Sequence, residues 1–105
     1  MSATDSHPVS LSVFFPCWNE QEAIEPLTRK AVDVLESIGA DYEIIIVDDG
    51  STDRTGEITD RLAAENKRIR VVHHPTNRGY GAALQSGFRA ASRDWVFYTD
   101  GDGQF

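Results

Sequence analysis

Apolar residues in this chain come in short blocks, some continuous and some at helical spacing, separated by polar stretches containing glycine or proline. Each change of spacing predicts a change of element. Residues 9–15 (VSLSVFF) predict a first strand, which should stop at Pro16 because proline has no N–H to give a ladder. Ile24, Leu27, Ala31, Val34, Leu35 and Ile38 then fall on one face of a helix over residues 22–38. Pro26 is tolerated near its first turn, and Gly39 is placed to end it. The run EIIIV at 43–47 reads as a parallel strand buried on both faces. Ser51, Thr52 and Asp53 are candidate N-caps for a helix reaching Glu65, with Ile58 and Leu62 inward. Residues 69–73 predict a third strand. After the turn at Pro75 to Gly79, Tyr80, Leu84, Gly87, Phe88 and Ala91 mark one face of a third helix. The aromatic run at 95–99 predicts a short buried fourth strand. Residues 1–8 are polar and read as a disordered tail.

Alternating strands and helices predict an α/β fold: a doubly wound, Rossmann-like, mostly parallel sheet with helices on both faces, formed by residues 9–105. Right-handed crossovers place the carboxyl ends of all strands on one edge. Four polar clusters then share a crevice where open α/β sheets bind ligands: residues 18–20, Asp48 with Asp49, residues 77–79 and residues 100–104. No internal repeat or low-complexity tract interrupts the pattern.

Length and charge narrow the reading. At 105 residues the chain is at most one ordinary domain, and a formal charge of −7 argues against nucleic acid as a partner. Cys17 is the single cysteine, which rules out an internal disulfide and suits a reducing, cytoplasmic setting. With no base evident, Cys17 reads as a small buried filler. No apolar run approaches the ~20 residues of a membrane span, and the polar start lacks the apolar stretch of a signal peptide. An acidic cluster at the very end is expected for an amino-terminal fragment, with a fourth strand left as an open edge and homo-oligomerisation as one outcome.

The carboxylates carry the candidate chemistry. Asp100 and Asp102, one residue apart and followed at the same spacing by the amide Gln104, supply hard oxygen ligands suited to Mg²⁺ or Mn²⁺ with phosphate. A calcium hand would need another aspartate where Tyr98 stands and a helix in place of the strand. An aspartyl-phosphate hydrolase would carry such a motif after its first strand. Gly79-Tyr80-Gly81 fails as a dinucleotide fingerprint, since Leu84 stands where the third glycine belongs and the loop follows the third strand. Those glycines either merely cap the turn or open a helix whose amino end favours a diphosphate. Asp48 and Asp49 follow the second strand, not the first as in a receiver domain. Adjacent carboxylates at a strand end are costly unless used, and ligand contact is the favoured reading. Trp18 suits stacking on a base. His73 and His74 have no carboxylate close in sequence and read as structural or solvated.

Taken together, residues 12–20 (SVFFPCWNE), 46–53 (IVDDGSTD), 77–83 (NRGYGAA) and 100–104 (DGDGQ) resemble the family 2 glycosyltransferases of GT-A fold. The likeness is nearest to the dolichyl- or polyprenyl-phosphate mannose and glucose synthases, and it covers residues 9–105. It implies that Pro16, Trp18, Glu20, Val47 and Asp49 hold the nucleoside, that Asp100 and Gly101 lie against ribose and diphosphate, and that Asp102 and Gln104 ligate the metal. It further implies inverting transfer of a hexose from UDP-glucose or GDP-mannose to a lipid phosphate at a membrane surface. No catalytic residue is named by it, and the isolated segment is expected not to turn over. The family commonly has Tyr at the position of Trp18 and a larger apolar residue at that of Gly103. A non-catalytic nucleotide-binding or assembly module is the alternative.

Overall fold

A computed structural model describes residues 8–101. The strands are β1 (Ser10–Cys17), β2 (Asp41–Asp48), β3 (Ile69–His73) and β4 (Trp95–Tyr98); the helices are α1 (Ile24–Ser37), α2 (Thr55–Glu65) and α3 (Tyr80–Ala90). All strand pairs are parallel, in the order β3-β2-β1-β4. The chain thus builds outward from β1 through β2 to β3, then crosses back to β4 on the other side of β1. Reversing direction while keeping right-handed crossovers puts α3 on the opposite face from α1 and α2. The expected doubly wound sheet is present.

The strand alternation of β1 and β2 feeds two cores. Leu11, Phe15, Tyr42, Ile44 and Ile46 pack with Ile24, Leu27, Leu35 and Leu62 from α1 and α2. Phe14, Ile45 and Val47 pack with Ala83 of α3. Residues 42–49 are all buried, as a strand covered on both faces requires. Gly39 takes the left-handed conformation (φ +68°) that closes α1, and Ala40 donates back to the Leu35 carbonyl.

Three expectations are corrected. β1 does not end at Pro16; it runs on to Cys17, with Pro16 opposite Val47 of β2. The Pro16 carbonyl accepts from Gly101, so the side of the backbone lacking an N–H faces beyond the last paired residue of β4 and costs the β1–β2 ladder nothing. β4 is not buried: Trp95, Val96, Phe97 and Tyr98 are all exposed, because among the described residues β4 is an edge strand of the sheet. Tyr98 nevertheless stacks on the fully buried Phe14 at 5.2 Å between ring centroids, with Phe88 edge-on to both. The helix faces are also narrower than their spacing suggested, since Val34, Ile38, Tyr80 and Phe88 remain exposed. The residues assigned to a disordered tail lie outside the described residues except Pro8, as do Asp102 and Gln104.

The far end of the sheet is closed by a buried carboxylate. Glu43, near the amino end of β2, accepts from the Ser12 hydroxyl (2.6 Å), the Ser92 N–H (2.7 Å) and hydroxyl (2.9 Å), and Arg70 (2.8 Å). Burial alone would raise its pKa, but these four donors outweigh it and hold the carboxyl down to about 2. The network fastens the chain between α3 and β4, which fixes both elements that enter the opposite, carboxyl edge.

Candidate functional site: the crevice at the carboxyl edge

Three loops leave the carboxyl edge of the sheet and are tied to one another. Asn19, in the left-handed region at φ 52°, accepts from the Thr52 N–H (2.8 Å) and the Asp53 N–H (3.3 Å), while its own N–H donates to the Ser51 hydroxyl (3.0 Å). The Glu20 N–H donates to the Thr55 hydroxyl (2.9 Å). The loop after β1 is therefore latched to the start of α2. The expected cap at residues 51–53 is not found: Arg54 holds the N-cap position without a side-chain cap bond, and Asp53, one residue earlier, accepts from the Thr55 N–H (2.9 Å). The loop after β2 presses in turn on the loop after β3. Gly50 sits at φ +69°, and a Cβ there would come within 2.2 Å of the Thr76 backbone. No other residue fits that position without moving the chain.

Asp48 and Asp49 divide their work between these loops. Asp48 accepts from the Ser51 N–H (3.1 Å) and pairs with His73 Nδ1 (2.8 Å), whose Nε2 pairs with Asp60 (2.7 Å). Burial lowers the His73 pKa, but the bonds to Asp60 and Asp48 outweigh it and raise the value overall. Asp49 Oδ1 accepts from the Arg78 N–H (2.9 Å) and pairs with His74 Nδ1 (2.7 Å), and Oδ2 accepts from the Gly79 N–H (3.0 Å). Burial would raise the Asp49 pKa, yet His74 and the two backbone amides bring it below the ordinary carboxylate range. Asp49 thus places its negative charge at the entry to α3, whose amino end favours an anion. Part of the role expected there for a diphosphate is already filled by this side chain.

The crevice itself opens between the ends of β1 and β4, at the point where the strand order reverses. It has a volume of about 350 Å³ and brings together Pro16, Trp18, Glu20, Asp49, Asp100 and Gly101. Asn77, Gly79 and Tyr80 complete the wall on the α3 side. Trp18 is 48% exposed, so its indole is available as a stacking surface. The chain leaving β4 stays against β1: Thr99 donates to the Phe14 carbonyl (3.3 Å) and Gly101 to the Pro16 carbonyl (3.0 Å). A Cβ on Gly101 would lie 2.5 Å from that of Cys17, so only glycine allows this approach. Asp100 is thereby held at the rim, where its Oδ1 accepts from the Tyr80 hydroxyl (3.0 Å). Burial and the neighbouring Asp100 raise the Tyr80 pKa.

Val47 departs from the other candidates, because it is fully buried in the core facing α3 and does not line the crevice. Cys17 is the buried filler expected; burial first, and then the surrounding carboxylates, push its thiol pKa far above the ordinary range. His73 and His74 were legible only as having no carboxylate near in sequence, whereas the fold gives each a carboxylate at hydrogen-bond distance, Asp48 at the end of β2 and Asp49 just after it. A signal for this exists in the strand register, which sets His73 opposite Asp48. Among the described residues, no group of three or more His, Cys, Asp or Glu side chains could hold a metal ion, and no helix is long and apolar enough to cross a membrane.

An open parallel sheet with a polar, glycine-lined crevice at its switch point is the architecture of a ligand-binding α/β domain. The chain belongs to glycosyl transferase family 2, whose family model matches residues 12–105. It is 44% identical over 103 residues to Glycosyltransferase AglD of Haloferax volcanii, covering 96% of this chain and 16% of that protein. It is 41% identical over 94 residues to the undecaprenyl-phosphate 4-deoxy-4-formamido-L-arabinose transferase of Edwardsiella ictaluri, covering 88% and 29%. The chain thus spans under a third of the length of both relatives. Among solved structures, it is similar to S. aureus TarS 1–349 in complex with UDP-GlcNAc (TM-score 0.75, 28% identity, 90% of this chain and 27% of that one). It is also similar to the mannosyltransferase PcManGT of Pyrobaculum calidifontis in complex with GDP-Man and Mn²⁺ (TM-score 0.68, 27% identity, 92% and 28%). The GT-A-type fold expected from the sequence is shared with these glycosyltransferases.

Proposed function

We propose that this chain forms the donor-binding part of an inverting glycosyltransferase that moves a hexose from UDP-glucose or GDP-mannose to a polyprenyl or dolichyl phosphate. The observation that carries the reading is the crevice of about 350 Å³, where Trp18, Glu20, Asp49 and Asp100 converge at the switch point of the sheet. Its polar groups match a nucleoside diphosphate. Trp18 offers a face to the base, Asp49 accepts a base N–H, and Pro16 and Glu20 shape the nucleoside wall. Val47 supports that wall from the core. Asp100 accepts ribose hydroxyls, and Gly101 keeps the backbone low enough for the diphosphate to approach.

Mg²⁺ or Mn²⁺ fits the donor set, since Asp100 already presents a hard oxygen at the rim and Asp102 and Gln104 follow in sequence. Asp102 and Gln104 would hold the ion, which supplies positive charge to the leaving diphosphate. The remaining work falls to positioning. An acceptor phosphate is already anionic at neutral pH, so the reaction needs no strong general base from this chain. A peripheral position at the cytoplasmic membrane face follows from the lipid nature of that acceptor.

The test is nucleotide binding by the full-length protein. UDP or GDP raises the melting temperature in the presence of Mn²⁺ or Mg²⁺, and Asp102→Ala removes the dependence on metal. A metal response that survives Asp102→Ala refutes the ligand assignment, and the absence of any response to either nucleotide refutes the donor site.

A further inference from the structure

Asp49 has one acceptor position to spare, and His74 decides which. A carboxylate offers about four acceptor positions, two on each oxygen. Among the described residues, Oδ1 takes two donors, from His74 and Arg78, whereas Oδ2 takes one, from Gly79. Because an ionised carboxylate can only accept, the His74–Asp49 bond places the proton on Nδ1. The imidazole cannot turn away. Its Nε2 is paired with the Ser86 hydroxyl of α3 (2.8 Å), and the His74 N–H donates to the Asp48 carbonyl (2.9 Å). The His74 and Asp49 side chains are only 4% and 6% exposed, so water cannot easily replace either partner.

We propose that His74 is a positioning residue for the donor site: it saturates Oδ1 of Asp49 and leaves Oδ2 as the oxygen presented to a nucleobase N–H in the crevice. The inference rests on the donor-site reading of Asp49. It adds that the base contact is set from α3 through Ser86 and His74, by a side chain that itself lies outside the crevice lining. Orientation is the whole effect, since His74 touches no ligand.

The experiment is a double-mutant cycle on nucleotide affinity in the full-length protein, read by calorimetry with whichever of UDP or GDP binds the wild type. His74→Leu weakens binding about tenfold, equivalent to about 1.4 kcal/mol. His74→Asn, whose amide can occupy the place of Nδ1–H, stays within roughly threefold of the wild type. In an Asp49→Asn background, His74→Leu adds less than about twofold, because the carboxylate it positions is gone. A purely structural histidine gives a different pattern. Additive losses, or wild-type affinity in His74→Leu accompanied only by a lower melting temperature, overturn the proposal. Should His74→Leu fail to fold, Ser86→Ala decides: affinity weakened by about two- to fivefold supports the orientation chain, and unchanged affinity sinks it. Wild-type protein that binds neither nucleotide removes the donor site itself, whereas wild-type binding without coupling removes only the role of His74.

Discussion

Replacing Glu43 with Gln tests whether one buried charge holds the sheet to α3 and β4. The side chain is 8% exposed and accepts four hydrogen bonds, three from the Ser12 and Ser92 donors and one from Arg70. Gln keeps the size but turns an N–H toward a site crowded with donors. The magnitude follows from the carboxyl pKa, held from an ordinary 4.5 down to about 2. At about 1.4 kcal/mol per tenfold in proton affinity, ionised Glu43 contributes at most about 3 kcal/mol. The folded-state pKa is the lower one, so this contribution is fully present above pH 4.5 and is lost as the pH falls toward 2. Glu43→Gln should therefore lower the urea midpoint at pH 7 by an amount worth about 2–3 kcal/mol, or roughly 10–20 °C in Tm for a domain of this size. The gap between the two proteins should narrow steadily between pH 4.5 and 2. A Gln variant as stable as the wild type at pH 7, or a gap that does not change with pH, would refute the reasoning.

One further substitution and one labelling experiment examine the loops that form the crevice. Gly50→Ala combines a left-handed backbone with a Cβ 2.2 Å from the Thr76 backbone, and urea denaturation should show a loss above the ~1–2 kcal/mol that the conformation alone costs. Wild-type stability would mean that the loops after β2 and β3 are not in contact. Cys17, buried and surrounded by carboxylates, should resist a thiol reagent at pH 8 in the native protein and react fully in urea; rapid native labelling would contradict its placement.

How much was legible in the chain depends on whether the signal was local. The run Ile44-Ile45-Ile46-Val47 announced a strand buried on both faces because no other element tolerates continuous apolar residues so short. Gly39 announced a helix end because its backbone requirement is its own. Pro16 misled because the loss of an N–H matters only on the side where a partner strand continues, and sequence does not reveal sides. The aromatic run of β4 likewise records an affinity for cover but not its presence. In the crevice, Trp18, Asp49 and Asp100 were foreseeable from their place after strands, whereas His74 was not. Its carboxylate partner lies 25 residues away and is delivered by pairing between β2 and β3.

The latch around Asn19 has a consequence for how the crevice comes into being. Its bonds join residues 32 to 35 positions apart, and those of Asp49 to Arg78 and Gly79 span 29 and 30. Contacts so distant along the chain return nothing until the intervening segments have closed into place. The three loops therefore rise and melt as a single cooperative unit, and no one of them can open without breaking bonds in another. Amide exchange at Glu20, Thr52 and Gly79 should share one protection factor. In such a domain, competence to bind is a readout of having folded.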